Sequence, residues 1–322
     1  MKKKLKIGVL MGGTSAEHEI SLNTGTNVLE NLNTSKYEAT AIKITKDGRW
    51  LVGGKQNNLE KAFNGFDVIF NALHGTFGED GRVQALMEYY GAKYTGSGIT
   101  ASALAMDKLR SREIFKLSGL AVPKTLKIRK GENYQALLNV FVTKVTNFPV
   151  VVKPCSNGSS VGVFIVNDQV QLDKALKNAF QIEKKVLVEE FIEGREVTCG
   201  VLDNFSDQPV SALPVTEIIP KRRHKFFDYN AKYKTGHSDE ITPARLDEDT
   251  AKRIQEIAVK AHQLLGCRAY SRTDMIVSGD KIYILEINTL PDLSSRSLFS
   301  KAVQVSGLTL AGLLDKIIQS SL

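Results

Sequence analysis

A chain of 322 residues with 42% hydrophobic content exceeds what one core comfortably fills, so two or three packed domains are expected. Its net charge of +8 is spread along the chain apart from Lys221-Arg222-Arg223-His224-Lys225, with no interleaved stacking aromatics, which sets a nucleic-acid partner aside and suits polyanionic small molecules. The three cysteines, Cys155, Cys199 and Cys267, form neither a disulfide framework nor a zinc pattern and fit a reducing compartment, and no run approaches the roughly 18 apolar residues of a membrane span, so a membrane partner is not expected.

In chain order, MKKKLKIGVLMGG begins like a signal peptide, but its apolar run is about half the shortest h-region and leads into glycines. Residues 5–11 are read instead as a buried strand behind a solubilising tail. Gly12-Gly13-Thr14-Ser15 then turns into a helix starting near Glu19, an order that aims backbone N–H groups at a ligand. The spacing is neither G-x-G-x-x-G nor a Walker loop, so Glu17 and His18 read on their own as helix-entry residues. Further strands are predicted at 37–44 and 67–73. The second ends in His74-Gly75-Thr76-Phe77-Gly78-Glu79-Asp80-Gly81, a polar glycine-rich loop at the carboxyl end of a buried strand, where open α/β sheets place ligands. There His74 can be structural or functional.

Tyr94-Thr95-Gly96-Ser97-Gly98 closes the first domain near residue 96, and 99–116 reads as one helix carrying Asp107-Lys108. The centre reads strand (149–153), loop (154–160), strand (161–166) and helix (170–180). Its loop, KPCSNGSSVG, follows Lys153 with a Gly-Ser-Ser turn, so hydroxyls and backbone N–H groups can wrap phosphates while the lysine neutralises them. VLVEEFIEGREVTCGVL gives an apolar strand, a polar turn and a second strand. Residues 221–242 show little apolar periodicity, and a loop this long inside a compact domain is either disordered or a lid; Tyr229, Tyr233 and the strong flanking elements favour a lid. Residues 247–265 form an amphipathic helix with Ile254, Ile257, Ala258, Ala261, Leu264 and Leu265 on one face.

The chemistry concentrates in YSRTDMIVSGDKIYILEINTLPDLSSRSL, residues 270–298. Two apolar strands of period two meet at the turn Ser278-Gly279-Asp280. Arg272, Asp274 and Ile276 share one face of the first, and Ile282, Ile284, Glu286 and Asn288 share one face of the second. The hairpin can therefore set Asp274 across from Glu286 and Asn288, and three hard oxygen ligands suit Mg2+. The plainer alternative is an edge hairpin with its acids in solvent. Both strands are apolar enough for a core, where uncompensated charge is expensive and a metal compensates it.

The order GGTSAEHEIS, ALHGTFGEDG, YTGSG, MDK, VVKPCSNGSSVG, VLVEEF, FFDYNAKY, EITPAR, RTD and LEINTLP resembles the D-alanine–D-alanine ligases of the ATP-grasp superfamily, across residues 12–298. The resemblance implies an α/β chain, α+β in its ATP-binding part: an ATP-grasp fold with an N-terminal open parallel-sheet domain. Its domains would be a Rossmann-like substrate domain (1–96), a central ATP-grasp lobe (97–188) and a C-terminal ATP-grasp lobe (189–322) with the metal site and a lid at about 221–242. The implied enzyme is a cytoplasmic homodimer. It makes D-alanyl-D-alanine for peptidoglycan precursors from two D-alanines and ATP, through a D-alanyl phosphate, with two Mg2+ or Mn2+ ions.

By similarity, Asp274, Glu286 and Asn288 hold the metals, Lys108, Lys153 and Lys232 sit on the phosphates, and Glu189, Ile192 and Glu196 match adenine and ribose contacts. Glu17 would hold the first D-alanine's ammonium, with His74 near its carboxylate, and Ser159 and Tyr233 would join Glu17 in a triad tying the lid to the body. Arg272 would stabilise the tetrahedral oxyanion, while Ser297 and the Leu298 backbone would bind the second D-alanine's carboxylate. A D-alanine–D-lactate ligase is a rival, which Tyr233 disfavours; a non-catalytic ATP-binding homologue is another, which should have lost the lysines and acids. One departure is visible: the family's N-T-x-P-G is N-T-L-P-D here, and Arg296 stands where the family often has His. A carboxylate about 6 Å from the transferring phosphoryl would cost roughly 3 kcal/mol at an effective dielectric of about 20, so Asp292 should be neutralised. A pair with Arg296, four residues on, is the expectation.

Overall fold

The structure, a computed structural model, describes residues 3–155, 162–220 and 238–322, and three sheets organise them. The first contains β1 (Leu5–Gly12), β2 (Tyr37–Ile44), β3 (Trp50–Val52), β4 (Lys55–Gln56) and β5 (Val68–Asn71) in the order β4-β3-β2-β1-β5. β1 runs parallel to β2 and β5, and the β2-β3-β4 edge is antiparallel. β1 is apolar on both faces because both are covered: Ile7 and Val9 enter one core and Leu10 another. Gly12 ends it at φ +89°, where a Cβ would stand 2.2 Å from the Ile44 carbonyl oxygen, so only glycine makes the turn toward α1 (His18–Asn31).

The second sheet is antiparallel, with β6 (Thr125–Arg129), β7 (Val150–Pro154), β8 (Phe164–Val166) and β9 (Lys185–Glu190) in the order β6-β9-β7-β8. The helix Gln169–Ile182 covers it through Leu172, Ala175, Leu176 and Ala179. The third contains β10 (Arg195–Phe205), β11 (Gln208–Ala212), β12 (Thr216–Pro220), β13 (Ser238–Ile241), β14 (Tyr270–Ser278) and β15 (Lys281–Asn288), in the order β13-β12-β10-β14-β15 with β11 also on β10. The helix Glu248–Leu265 packs Ile254, Ala258, Ala261 and Leu265 on it; Ile257 and Leu264, expected on the same face, are only partly buried.

VLVEEF and REVTCGVL supply the two expected strands, β9 and β10, which belong to different sheets, so the polar turn between them crosses from one sheet to the other. The expected lid lies outside the described residues over 221–237, but Ser238–Ile241 is a strand paired with β12, so the loop does not reach 242. The cores are unequally divided. Ile7, Val9 and Met11 of β1 share one cluster with Tyr270, Leu290, Leu293 and the C-terminal Leu313, Leu314, Ile317 and Ile318, whereas the second sheet has a core of its own.

Candidate active site

β14 and β15 set Asp274 opposite Glu286 and Arg272 opposite Asn288. The register shifts after Asp274: Met275 pairs with Ile284, leaving Leu285 as an extra residue. This bulge corrects the simple alternation, which would put Ile282, Ile284, Glu286 and Asn288 on one face. Ile282, Ile284 and Ile287 all turn into the core, while Glu286 and Asn288 open into a cavity. One inserted residue thus lets an apolar strand present polar side chains where they reach a ligand.

The cavity holds about 540 Å³ and is also lined by Glu17, His74, Arg272, Ser297 and Leu298. Glu17 is the N-cap residue of α1, and ligand atoms of Glu17, His74 and Glu79 lie within 4.8 Å of one another. His74 is buried, with Nε2 2.8 Å from the Thr24 hydroxyl and Nδ1 3.2 Å from Glu79 Oε1. Burial pulls the imidazole pKa down, but the hydrogen bond and charge of Glu79, with Asp292 and Glu17, outweigh it and hold the group above its ordinary value. Arg272 grips Asp274 with both ends of its fork, Nε to Oδ1 and Nη2 to Oδ2 at 2.9 Å each, and Thr198 donates to Oδ1 at 2.7 Å. Asp274 is therefore buried behind Arg272. Ser297 N-caps the helix Leu298–Val305, its Oγ accepting from the Ser300 N–H at 3.0 Å. That helix approaches β10 at Gly200, where a Cβ would meet the Phe299 ring at 2.8 Å.

Glu286 also joins a buried ionic cluster. Lys108 Nζ lies 3.0 Å from Glu286 Oε2, and Lys153 Nζ 2.9 Å from Glu189 Oε2, whose other oxygen is bonded by Arg112. Lys108 reaches inward because the helix expected over 99–116 is two helices, Ile99–Met106 and Lys108–Leu117. Asp107 breaks it by accepting from the Leu109 and Arg110 N–H groups, both at 3.2 Å. The two lysines differ. Burial lowers the pKa of each, yet Glu286 lifts Lys108 above its ordinary value, whereas Lys153 shares Glu189 with Arg112 and is pushed down to about 8. Burial raises the Glu189 carboxyl, and Arg112 and Lys153 override it to hold it below the usual range.

Arg112 is absent from the expected site. It donates to the carbonyl of the bulged Leu285 from Nε at 3.0 Å and Nη2 at 2.6 Å, so one side chain clips β15 to β9 of the second sheet. Its only signal is its place four residues after Lys108, on the same helix face. Ile192 lies between β9 and β10, and Glu196 lies on β10 opposite Ile276. Ser159, Lys232 and Tyr233 fall outside the described residues. Among the described residues no ion pair joins Asp292 to Arg296, which is exposed. Asp292 Oδ1 instead accepts from the Thr24 hydroxyl and the Ser294 N–H, both at 2.8 Å, and Oδ2 accepts from the Ser294 hydroxyl at 2.6 Å. A short carboxylate reaches the backbone two residues on and a buried hydroxyl at little entropic cost, and an exposed pair to a flexible arginine gains less.

Residues 6–65 and 53–97 match the family described as D-ala D-ala ligase N-terminus, and residues 114–319 match D-ala D-ala ligase C-terminus. The chain belongs to the D-alanine–D-alanine ligase family. It is 41% identical over 320 residues to the D-alanine–D-alanine ligase of Syntrophobacter fumaroxidans, covering 99% of this chain and 98% of that protein. It is 38% identical over 347 residues to that of Leptospira interrogans, covering 98% of each. Among solved structures, it superposes on the VanG D-Ala:D-Ser ligase of Enterococcus faecalis with a TM-score of 0.86 at 33% identity, covering 99% of this chain and 100% of that one. It superposes on the Bacillus anthracis D-alanine–D-alanine ligase complexed with ATP with a TM-score of 0.80 at 31% identity, covering 98% and 97%. These solved relatives share the ATP-grasp fold of the family.

Proposed function

We propose that the cavity is an active site in which ATP activates the carboxylate of one D-alanine and the amine of a second closes the dipeptide. The enzyme is an ATP-dependent ligase that forms D-alanyl-D-alanine through a D-alanyl phosphate, a step of peptidoglycan precursor synthesis. The observation that carries this reading is the convergence in one cavity of Glu17 and His74 from the first sheet's loops, Arg272, Glu286 and Asn288 from the hairpin, and Ser297 and Leu298 from the following helix.

In this reading Glu17 takes the first substrate's ammonium, and His74 places positive charge near its carboxylate. Lys108 and Lys153 supply cations for the ATP phosphates, Glu189, Ile192 and Glu196 sit on the nucleoside side, and Ser159, Lys232 and Tyr233 act with the expected lid. The hard donor set of Asp274, Glu286 and Asn288 suits Mg2+ or Mn2+, with Asp274 sharing its carboxylate with Arg272. Bound ions would offset the negative charge of the transferring phosphoryl group. Arg272, fixed by Asp274, is aimed at the oxyanion that develops when the amine attacks, and the Ser297–Leu298 helix start receives the second substrate's carboxylate.

We divide the chain into a substrate domain to about 96, a central lobe to about 188 and a C-terminal lobe beyond. A cytoplasmic homodimer is supported by the family resemblance alone; among the described residues no helix is long and apolar enough to cross a membrane. Phosphate release from ATP, measured with D-alanine, L-alanine, and D-alanine plus D-lactate or D-serine, tests the reading. Turnover with D-alanine alone and formation of the dipeptide are expected. A requirement for D-serine would favour the second reading, a mixed ligase like its VanG structural relative. No turnover with any acceptor would overturn both.

A further inference from the structure

The hydrogens around His74 can be counted. Thr24 Oγ1 lies 2.8 Å from His74 Nε2 and 2.8 Å from Asp292 Oδ1, and it has one hydrogen to give. Asp292 already accepts from the Ser294 N–H and the Ser294 hydroxyl, which is how a carboxylate anion is held. The Thr24 hydrogen therefore goes to Asp292, and Thr24 must accept from His74, placing a hydrogen on Nε2. On the other edge of the ring, Nδ1 faces Glu79 Oε1 at 3.2 Å, and that oxygen accepts from the Gly75 N–H at 3.0 Å. A carboxylate only accepts, so Nδ1 carries a hydrogen too.

We propose that Asp292, acting through the Thr24 hydroxyl, is a positioning residue that locks His74 as an imidazolium, a fixed positive charge at the first-substrate end of the cavity. The substrate part of this assignment rests on the functional reading above. The charged groups that act on the ring share one sign. Glu17 faces it from the start of α1, Glu79 from the loop after β5 and Asp292 from the loop after β15, while the Tyr270 phenol on β14 is kept neutral by burial beside Glu79 and Asp292. Asp292 is thus the counter-charge of an imidazolium rather than a stray anion near the transferring phosphoryl. Because both ring N–H groups are committed, His74 acts on a bound carboxylate by charge and not by donating a hydrogen bond. The chain Glu79–His74–Thr24–Asp292 also ties the first-substrate loop, through α1, to the loop that leads to Ser297. Asn27, three residues along α1, reinforces the join by donating to the Leu293 carbonyl at 2.5 Å.

Imidazole 15N shifts of the full-length protein, followed from pH 5.5 to 9 and assigned with His74→Gln, read the ring directly. His74 is expected to be doubly protonated at neutral pH. In Thr24→Val and in Asp292→Asn its midpoint should fall by about one pH unit or more, while Thr24→Ser, which keeps the hydroxyl, should retain it. In parallel, KM for the first D-alanine should rise several-fold in Thr24→Val and Asp292→Asn, more steeply above neutral pH, with kcat changed less. The same 15N spectra report whether each variant is folded. A singly protonated ring at neutral pH, or a midpoint unmoved in both variants, overturns the lock and leaves the ligase reading standing. A coupled, doubly protonated ring in a protein that forms no dipeptide upholds the lock and removes the ligase reading.

Discussion

Glu286 is the residue on which most of the site turns, because its carboxylate touches Lys108 and lines the cavity. Glu286→Gln keeps the shape and removes the charge, so turnover should fall by about two orders of magnitude or more while the fold persists. Near-normal turnover would mean that the metal-binding reading of the hairpin is misassigned. Lys153 gives a pH-dependent test. Between about 8 and its ordinary value of 10.5 the unfolded chain holds a proton that the folded one has lost, so this group's contribution to stability rises with pH there; below that window both states are charged and its pH dependence is flat. Nucleotide affinity of the free enzyme moves the opposite way, weakening as pH rises through about 8 as the cation on the phosphates is lost. Calorimetric titration of ATP at pH 7 and 9.5 checks this, and Lys153→Met should abolish the difference. Arg296, exposed and unpaired with Asp292, should tolerate alanine with little change in turnover, against the expectation from spacing alone.

At the scale of elements, the strands were legible wherever burial is regular. The apolar runs of β1, β2, β7 and β9 and the hairpin turn at Gly279 follow from periodicity and turn chemistry. Three features resist such reading, two because they depend on partners distant in the chain and one because a single local side chain decides it. The bulge at Leu285 inverts the alternation of β15, the cap at Asp107 splits one apparent helix, and β9 and β10 separate into different sheets. Arg112 links the first two, since it follows the capped Lys108 and donates to the bulged carbonyl. Removing its fork takes two donors from the Leu285 carbonyl and one of the two cations from the buried Glu189. Arg112→Met should therefore destabilise the protein by about 3 kcal/mol, read by urea denaturation. Arg112→Lys restores the charge without the bidentate geometry, so it should recover part of the stability but less of the ATP affinity. If both variants bind ATP as the parent does, the arginine is a structural strut with no bearing on the nucleotide site.

At the scale of the molecule, the division of cores predicts what moves. The first sheet shares one cluster with Tyr270, where β14 begins, and with Leu290 and Leu293 of the loop after β15, completed by Leu313, Leu314, Ile317 and Ile318 of the last helix, so the walls that carry Glu17, His74, Arg272 and Ser297 are anchored in one packed body. The second sheet, with Lys153 and Glu189, closes its own core around Ile128, Val150, Val152, Val186 and Val188, and is tied to the hairpin by Arg112, which bonds both Glu189 and the Leu285 carbonyl. Such a body can open without disturbing the substrate walls, which suits an enzyme that must admit ATP and release ADP. Native-state hydrogen exchange tests the division. Amides of β1 and β14 should report opening free energies within about 1 kcal/mol of each other, and those of β7 and β9 should lie lower until ATP is added. Leu314→Ala, which cuts a cavity into the shared cluster at a cost of about 2–5 kcal/mol, should lower β1 and β14 together and leave β7 and β9 nearly unchanged. If β1 falls alone, the first sheet opens independently of the hairpin, and the substrate cavity is a moving interface instead of a fixed one.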